Sequence, residues 1–257
     1  MGDHWYCGIG NFFADWTGQE LIACQPEVEP KAVPLSLEGM VKIPAGTFKM
    51  GSEDGGSNER PVHEVTLTRD FYIDRHGVTN DEYKRVMGES LSPSNFDGPN
   101  QPVVRVNWND ADKYCKLVGK RLPTEAEREY VARGESHAQE YPTLDGNKPT
   151  TEQARYNSNF TANVCSYGGN YVLWGGKEVC DLAGNTWEWV NDWYGDYPYD
   201  HVVDPTGHKK GSYKVLRGGS WNHNYSVYLR AADRNYLNPV SSTGILGFRC
   251  AAPVLSE

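Results

Sequence analysis

Apolar and polar residues alternate over short runs between residues 40 and 75, a period that predicts strands rather than helices. Val41-Lys42-Ile43 and Thr47-Phe48-Lys49-Met50 read as two short strands around a turn at Pro44-Ala45-Gly46. His63-Glu64-Val65-Thr66-Leu67-Thr68 has the alternation of a half-buried strand, and Phe71-Tyr72-Ile73 continues it. The period then changes. Ala111, Tyr114, Cys115 and Val118 recur at helical spacing, with Asn109 placed to cap the helix and Gly119 to end it. Thr124-x-x-Glu127 is a capping box, which predicts a second helix carrying Ala126, Tyr130 and Val131 and closed by Gly134. After Arg133 the chain is mostly Gly, Asn, Asp and Tyr with short aromatic strands.

Residues 1–39 differ in character. Gln25-Pro26-Glu27-Val28-Glu29-Pro30 and then Pro34 read as an extended connector, so 1–39 is taken as an N-terminal extension and 40–257 as one domain. The totals agree with a loop-rich fold over a modest core: 27 Gly and 15 Pro among 257 residues, with 38% hydrophobic residues. A formal charge of -9, with no polybasic stretch, excludes a nucleic-acid groove. No apolar run is long enough to span a bilayer.

Several strings, in order, resemble those of the formylglycine-generating (sulfatase-modifying factor) family and together cover most of 40–257. They are Ile43-Pro44-Ala45-Gly46-Thr47-Phe48-Lys49-Met50-Gly51, Val78-Thr79-Asn80 with Tyr83, and Gly119-Lys120-Arg121-Leu122-Pro123-Thr124-Glu125-Ala126-Glu127. Asp181-Leu182-Ala183-Gly184-Asn185-Thr186-Trp187-Glu188-Trp189, Arg217-Gly218-Gly219-Ser220-Trp221 and Gly247-Phe248-Arg249-Cys250-Ala251-Ala252 follow. The resemblance implies an α+β, C-type-lectin-like fold: two helices around a small twisted antiparallel sheet, with much irregular structure.

The family's enzymes oxidise a substrate cysteine with O2 at a copper held by two cysteines shortly after the Gly-Gly-Ser. Soft thiolates are what select Cu(I). Here the segment reads Gly218-Gly219-Ser220-Trp221-Asn222-His223-Asn224-Tyr225-Ser226-Val227-Tyr228-Leu229-Arg230, and no cysteine lies between Cys180 and Cys250. The cysteine positions fall near His223 and near Val227 or Tyr228, so no thiolate pair forms and no copper is expected. Ser220 is not in a nucleophile elbow. No catalytic residue is therefore assigned. An oxidative modifying enzyme of the same family, using a non-cysteine site, is the alternative reading.

From Asn222 to Leu246 the chain contains no Lys, Gln, Glu, Met or Trp. Those are the five types that an AAC codon cannot reach when only its adenines change. Leu229-Arg230, Arg234 and Pro239 look like a fixed frame between changeable positions. This resembles the variable proteins of diversity-generating retroelements, which diversify a C-terminal stretch of a lectin-like fold for ligand binding. Tyr, Ser and Asn suit that use, because Tyr gives large contact area at low entropy cost. The expected ligand-binding positions are His223, Tyr225, Val227, Tyr228, Tyr236, Leu237, Val240, Thr243 and Ile245, on one solvent-facing patch.

The resemblance also implies a structural Ca2+ held by Asp181, Gly184, Thr186 and Glu188, hard oxygen ligands in a suitable order. It implies a Cys115–Cys250 disulfide, while Cys165 with Cys180 and Cys7 with Cys24 could also pair. The expected partner is a protein or surface ligand, with no nucleic acid, bound by a monomer. Display on a cell surface, or otherwise outside the cell, is expected. The start of the chain has neither the cationic residues nor the apolar stretch of a signal peptide, so a signal or anchor would lie outside this sequence.

Overall fold

A computed structural model of the chain describes residues 32–88 and 96–254. The first strands form as the alternation predicts, as β1 (Met40–Ile43), β2 (Gly46–Met50), β3 (His63–Leu67) and β4 (Phe71–Asp74). Their partners are less local than a hairpin reading suggests. β1 pairs with β4, whereas β2 pairs with β3, so the turn at Pro44-Ala45 carries the chain from one sheet into another.

Three helices follow. The first, α1 (Asn80–Met87), adds to the two that were expected, and Thr79 and Glu82 close a capping box at its start. The second, α2 (Trp108–Leu117), begins two residues earlier than predicted. Its cap is Asn107, whose side chain accepts the amide of Asp110, and Asn109 lies inside the first turn. The third, α3 (Glu125–Ala132), has the expected Thr124–Glu127 capping box, yet all eight of its residues are buried. It is not an amphipathic surface helix but a central strut, and its charged side chains must find partners inside the protein.

The remaining strands are β5 (Tyr171–Trp174), β6 (Lys177–Cys180), β7 (Trp187–Trp193), β8 (Val202–Val203), β9 (Lys214–Arg217), β10 (Arg234–Leu237), β11 (Leu246–Phe248) and β12 (Ala251–Pro253). One sheet has the order β1-β4-β12, one β2-β3-β8, one β10-β9-β7-β11, and β5 and β6 form a hairpin. The pairs β11–β7 and β3–β8 are parallel, so those two sheets are mixed, whereas β1-β4-β12 is purely antiparallel.

Two hydrophobic clusters flank α3 and β7. One joins the β1 and β3 sheets to Tyr130 and Trp174, and the other packs Trp187 and Trp189 against α1, α2 and Phe248. Cys115 on α2 is disulfide-bonded to Cys250, which fixes that helix to the chain between β11 and β12. Cys165 and Cys180 form a second disulfide. Cys7 and Cys24 lie outside the described residues. Among the described residues no helix is long and apolar enough to cross a membrane.

Candidate binding surface

Gly218-Gly219 turns the chain out of β9, with positive φ at both residues. At Gly219 only glycine will do. A Cβ there would lie 2.6 Å from the carbonyl oxygen of Tyr228 and 2.5 Å from Leu229 Cδ2, so the 3-10 turn Ser226–Leu229 packs directly on its backbone.

Buried guanidinium groups fix the backbone that follows. Arg217 donates to the carbonyls of Ala231, Ala232 and Asp233 and pairs with Glu129 of α3. Arg230 pairs with the buried Glu59 through both of its terminal nitrogens. Arg234 reaches Glu125 in a bidentate pair, at 2.6 and 2.9 Å. Burial alone would weaken the charge on Arg217 and Arg234, but the facing carboxylates outweigh it and raise both pKa values. Each ion pair is buried on both sides, so removing one partner would leave an uncompensated charge. The stretch from Arg230 to Arg234 is thus held by residues outside the 222–246 segment.

The side chains between these anchors face outward. Tyr225, Val227, Tyr228, Tyr236 and Val240 are exposed, Tyr225 at 70% and Val240 at 68%, and Thr243 is exposed as well. His223, Leu237 and Ile245 are half-buried. None of the predicted binding positions is buried, whereas Leu229, Arg230, Ala231, Ala232 and Arg234 all are.

A single flat patch is nevertheless not what they form. Tyr236 and Leu237 are neighbours on β10, so their side chains leave opposite faces of the strand. Tyr236 joins an aromatic row with Tyr194 and Tyr213, at centroid distances of 4.0 and 5.2 Å. Leu237 and Ile245 instead pack against the second core cluster. Val227 and Tyr228 border a cavity of about 360 Å³ together with Asn58, Glu59, Arg230 and Asp233. In that cavity burial, and then Glu59, push the carboxyl of Asp233 up to about 7.

Near the positions that the resemblance gives to the family's cysteine pair, two rings meet at a tilt. His223 lies 4.3 Å from Tyr228, centroid to centroid, and its Nε2 accepts a 2.7 Å hydrogen bond from the Trp187 indole N–H. The described cysteines are all consumed by the two disulfides above. Trp221 is only half-buried, with its indole N–H donated to the Gly244 carbonyl.

The calcium expectation meets a different geometry. Glu188 is held between Arg128, at 2.7 Å, and Arg249, whose Nη2 lies at 2.7 Å. Burial would raise its pKa, but the two guanidiniums outweigh burial and keep it low. Asp181 accepts instead from the amide of Cys165 and the side chain of Asn170, and the Gly184 carbonyl accepts the Thr186 amide. A dication at Glu188 would face two buried cations, so Asp181, Gly184, Thr186 and Glu188 do not fit one Ca2+ site. In this chain the motif is an ion-pair hub.

Sequence reasoning missed Glu59, Asn58, Asp233 and the anchoring role of Arg217. The available signal was an excess of arginines near the segment's fixed positions, facing a helix rich in Glu.

Residues 25–254 match the family described as "Sulfatase-modifying factor enzyme 1-like domain". The chain is 34% identical to the formylglycine-generating enzyme of Streptomyces coelicolor, over 89% of this chain and 94% of that protein. Among solved structures, "Treponema denticola variable protein 1" superposes with a TM-score of 0.74 at 27% identity, covering 84% of this chain and 95% of that one. PvdO from Pseudomonas aeruginosa superposes with a TM-score of 0.68 at 30% identity, covering 84% and 94%. With its ordered motifs and α+β, lectin-like architecture, the chain belongs to the formylglycine-generating enzyme (sulfatase-modifying factor) family.

Proposed function

We propose that this family member is a binding protein rather than an oxidase, with residues 222–246 as the diversified surface of a diversity-generating retroelement. One observation carries the reading. Within that segment the frame residues Leu229, Arg230 and Arg234 are buried and anchored from outside, while Tyr225, Val227, Tyr228 and Tyr236 are exposed. A surface that must accept many side chains needs that division, because its backbone must not depend on them. The likeness to a protein described as a variable protein supports the same reading. The ligand is a protein or another surface component, met outside the cell.

The gene tests the retroelement origin. A nearby copy of the codons for 222–246, differing only where the copy has adenines and lying next to a reverse transcriptase, is expected. A chromosomal neighbourhood without such a copy removes the proposal. The oxidase alternative rests on the 34% identity to a formylglycine-generating enzyme. Oxygen consumption by the purified, copper-loaded protein with a Cys-Thr-Pro-Ser-Arg peptide would favour it over binding.

A further inference from the structure

A second cavity, of about 640 Å³, lies where the start of α3, the end of β7 and the loop 195–208 meet the β2–β3 sheet. None of the predicted binding positions of 222–246 lines it; from that segment only the fixed Arg234 does. Its size is that of a small-molecule site.

Its floor is already closed. Arg234 and Glu125 satisfy each other, Tyr197 donates its hydroxyl to Glu125, and the Arg234 guanidinium lies 3.8 Å over the Tyr197 ring. Two other lining groups are not closed. Asp192 is 3% exposed, and one of its oxygens accepts the amide of Glu125 at 2.9 Å. Its other oxygen has no partner among the described residues. His63 is 5% exposed, and its Nδ1 must donate to the Pro61 carbonyl, which can only accept. That leaves Nε2 of a neutral His63 as a bare acceptor. An ionised Asp192 and a neutral His63 therefore present acceptors to one cavity in which Arg234 is already paired. Neither of these two atoms is sealed inside the protein, so both are open to whatever fills the cavity. The walls beside them are apolar, from Met50, Ala126, Trp193 and Val202.

We propose that this cavity binds a small organic amine, with its ammonium group on Asp192, His63 as a second acceptor, and its hydrocarbon body against Met50 and Trp193. An anion would be repelled by the ionised form of Asp192, and a purely apolar molecule would leave both acceptors unmatched.

Burial, and then Glu125, push the Asp192 carboxyl up to about 8. The charged groups facing it are Glu125 and Glu127 from α3, Lys214 from β9, and Arg121. An entering ammonium must displace the carboxyl proton to solvent, so affinity should rise from pH 6 to pH 8.

The test uses the whole chain, isotopically labelled, with benzylamine, phenylacetate and benzyl alcohol as probes. Benzylamine is expected to give saturable NMR shift changes at Ala126 and across 193–208, with phenylacetate and benzyl alcohol giving none. Asp192→Asn, which keeps the acceptor for Glu125, should weaken binding by about tenfold or more, the loss of a charge-assisted contact. Thr206→Trp, at the exposed rim, should block entry without touching the buried groups, and so answers for any loss of fold in the first variant. Replacing Tyr225, Tyr228 and Tyr236 by Ser should leave benzylamine binding unchanged, which separates this site from the proposed variable surface. The proposal is overturned if benzylamine produces no saturable shifts at these residues, if Asp192→Asn or Thr206→Trp binds as the wild type does, or if phenylacetate binds equally.

Discussion

Trp187 donates its indole N–H to Nε2 of His223 at 2.7 Å, which joins a fully buried ring of the frame to a half-buried ring of the candidate surface. The bond requires His223 to be neutral with its proton on Nδ1, and burial lowers its pKa in the same direction. The unfolded chain then takes up a proton near pH 6.5 that the folded one refuses. This contribution to stability is present above that pH and is lost as pH falls through the window below it. An NMR titration should place the His223 midpoint below that of an exposed histidine.

The same bond sets His223 apart from the other candidate positions, as the one tied to the frame, and predicts an order of tolerance. His223→Ala leaves the Trp187 N–H unmatched and should destabilise the fold by about 1–3 kcal/mol. Tyr225→Ala, at an exposed position, should stay within about 0.5 kcal/mol. Urea unfolding of the two variants measures both. Equal effects would mean that the hydrogen bond contributes nothing.

Replacing Tyr225, Tyr228 and Tyr236 together by Ser should shift the melting temperature little, since each is exposed and the backbone is anchored by Arg217, Arg230 and Arg234. Trp189→Ala should instead cost about 3–5 kcal/mol, because that ring is fully buried. Glu59→Ala belongs with the second group. It strands the buried Arg230 charge, a loss of about 3–5 kcal/mol. A collapse of the triple Tyr variant would place those rings in the core and remove the division on which the binding reading depends.

What the sequence made legible was local or carried by motifs. Thr124-x-x-Glu127 announced α3, and Thr79-x-x-Glu82 carried the same signature for α1, although only the first was read as a helix start. Alternation located β1 to β4 but said nothing of their partners, because period fixes which side chains share a face and not which strand lies beside them. The exposed positions of 222–246 could be picked out because a composition bias marked them. Their anchors could not. Glu59 and Arg230 are 171 residues apart, and no local pattern reports a contact at that separation.

The calcium expectation has a direct test. Its residues are all present, yet Glu188 faces Arg128 and Arg249. Melting temperatures in millimolar CaCl2 and in EDTA should therefore agree. A ligand that bound the folded state at 100 times its Kd would raise stability by about 2.7 kcal/mol, an effect large enough to see. A clear calcium-dependent rise would show that the Arg pairs open to admit the ion.

Asp192 gives the chain a pH dependence of the opposite sign to that of His223. Its folded pKa is raised to about 8 from the ordinary value of 3.8, first by burial and then by Glu125. Between those values the folded state keeps a proton that the unfolded state has lost, so this group's contribution is fully present below about pH 4. It is lost progressively as pH rises towards 8. Asp181 and Asp233 titrate within the same range, so the raw curve will not isolate Asp192. The difference between wild type and Asp192→Asn will, since Asn keeps the shape and the Glu125 contact but carries no proton equilibrium. Relative to wild type, Asp192→Asn should gain stability steadily from pH 5 to pH 8, measured by urea unfolding at each pH. A difference that stays flat across that range would mean that Asp192 is ionised in the folded protein, with Lys214 outweighing burial and Glu125.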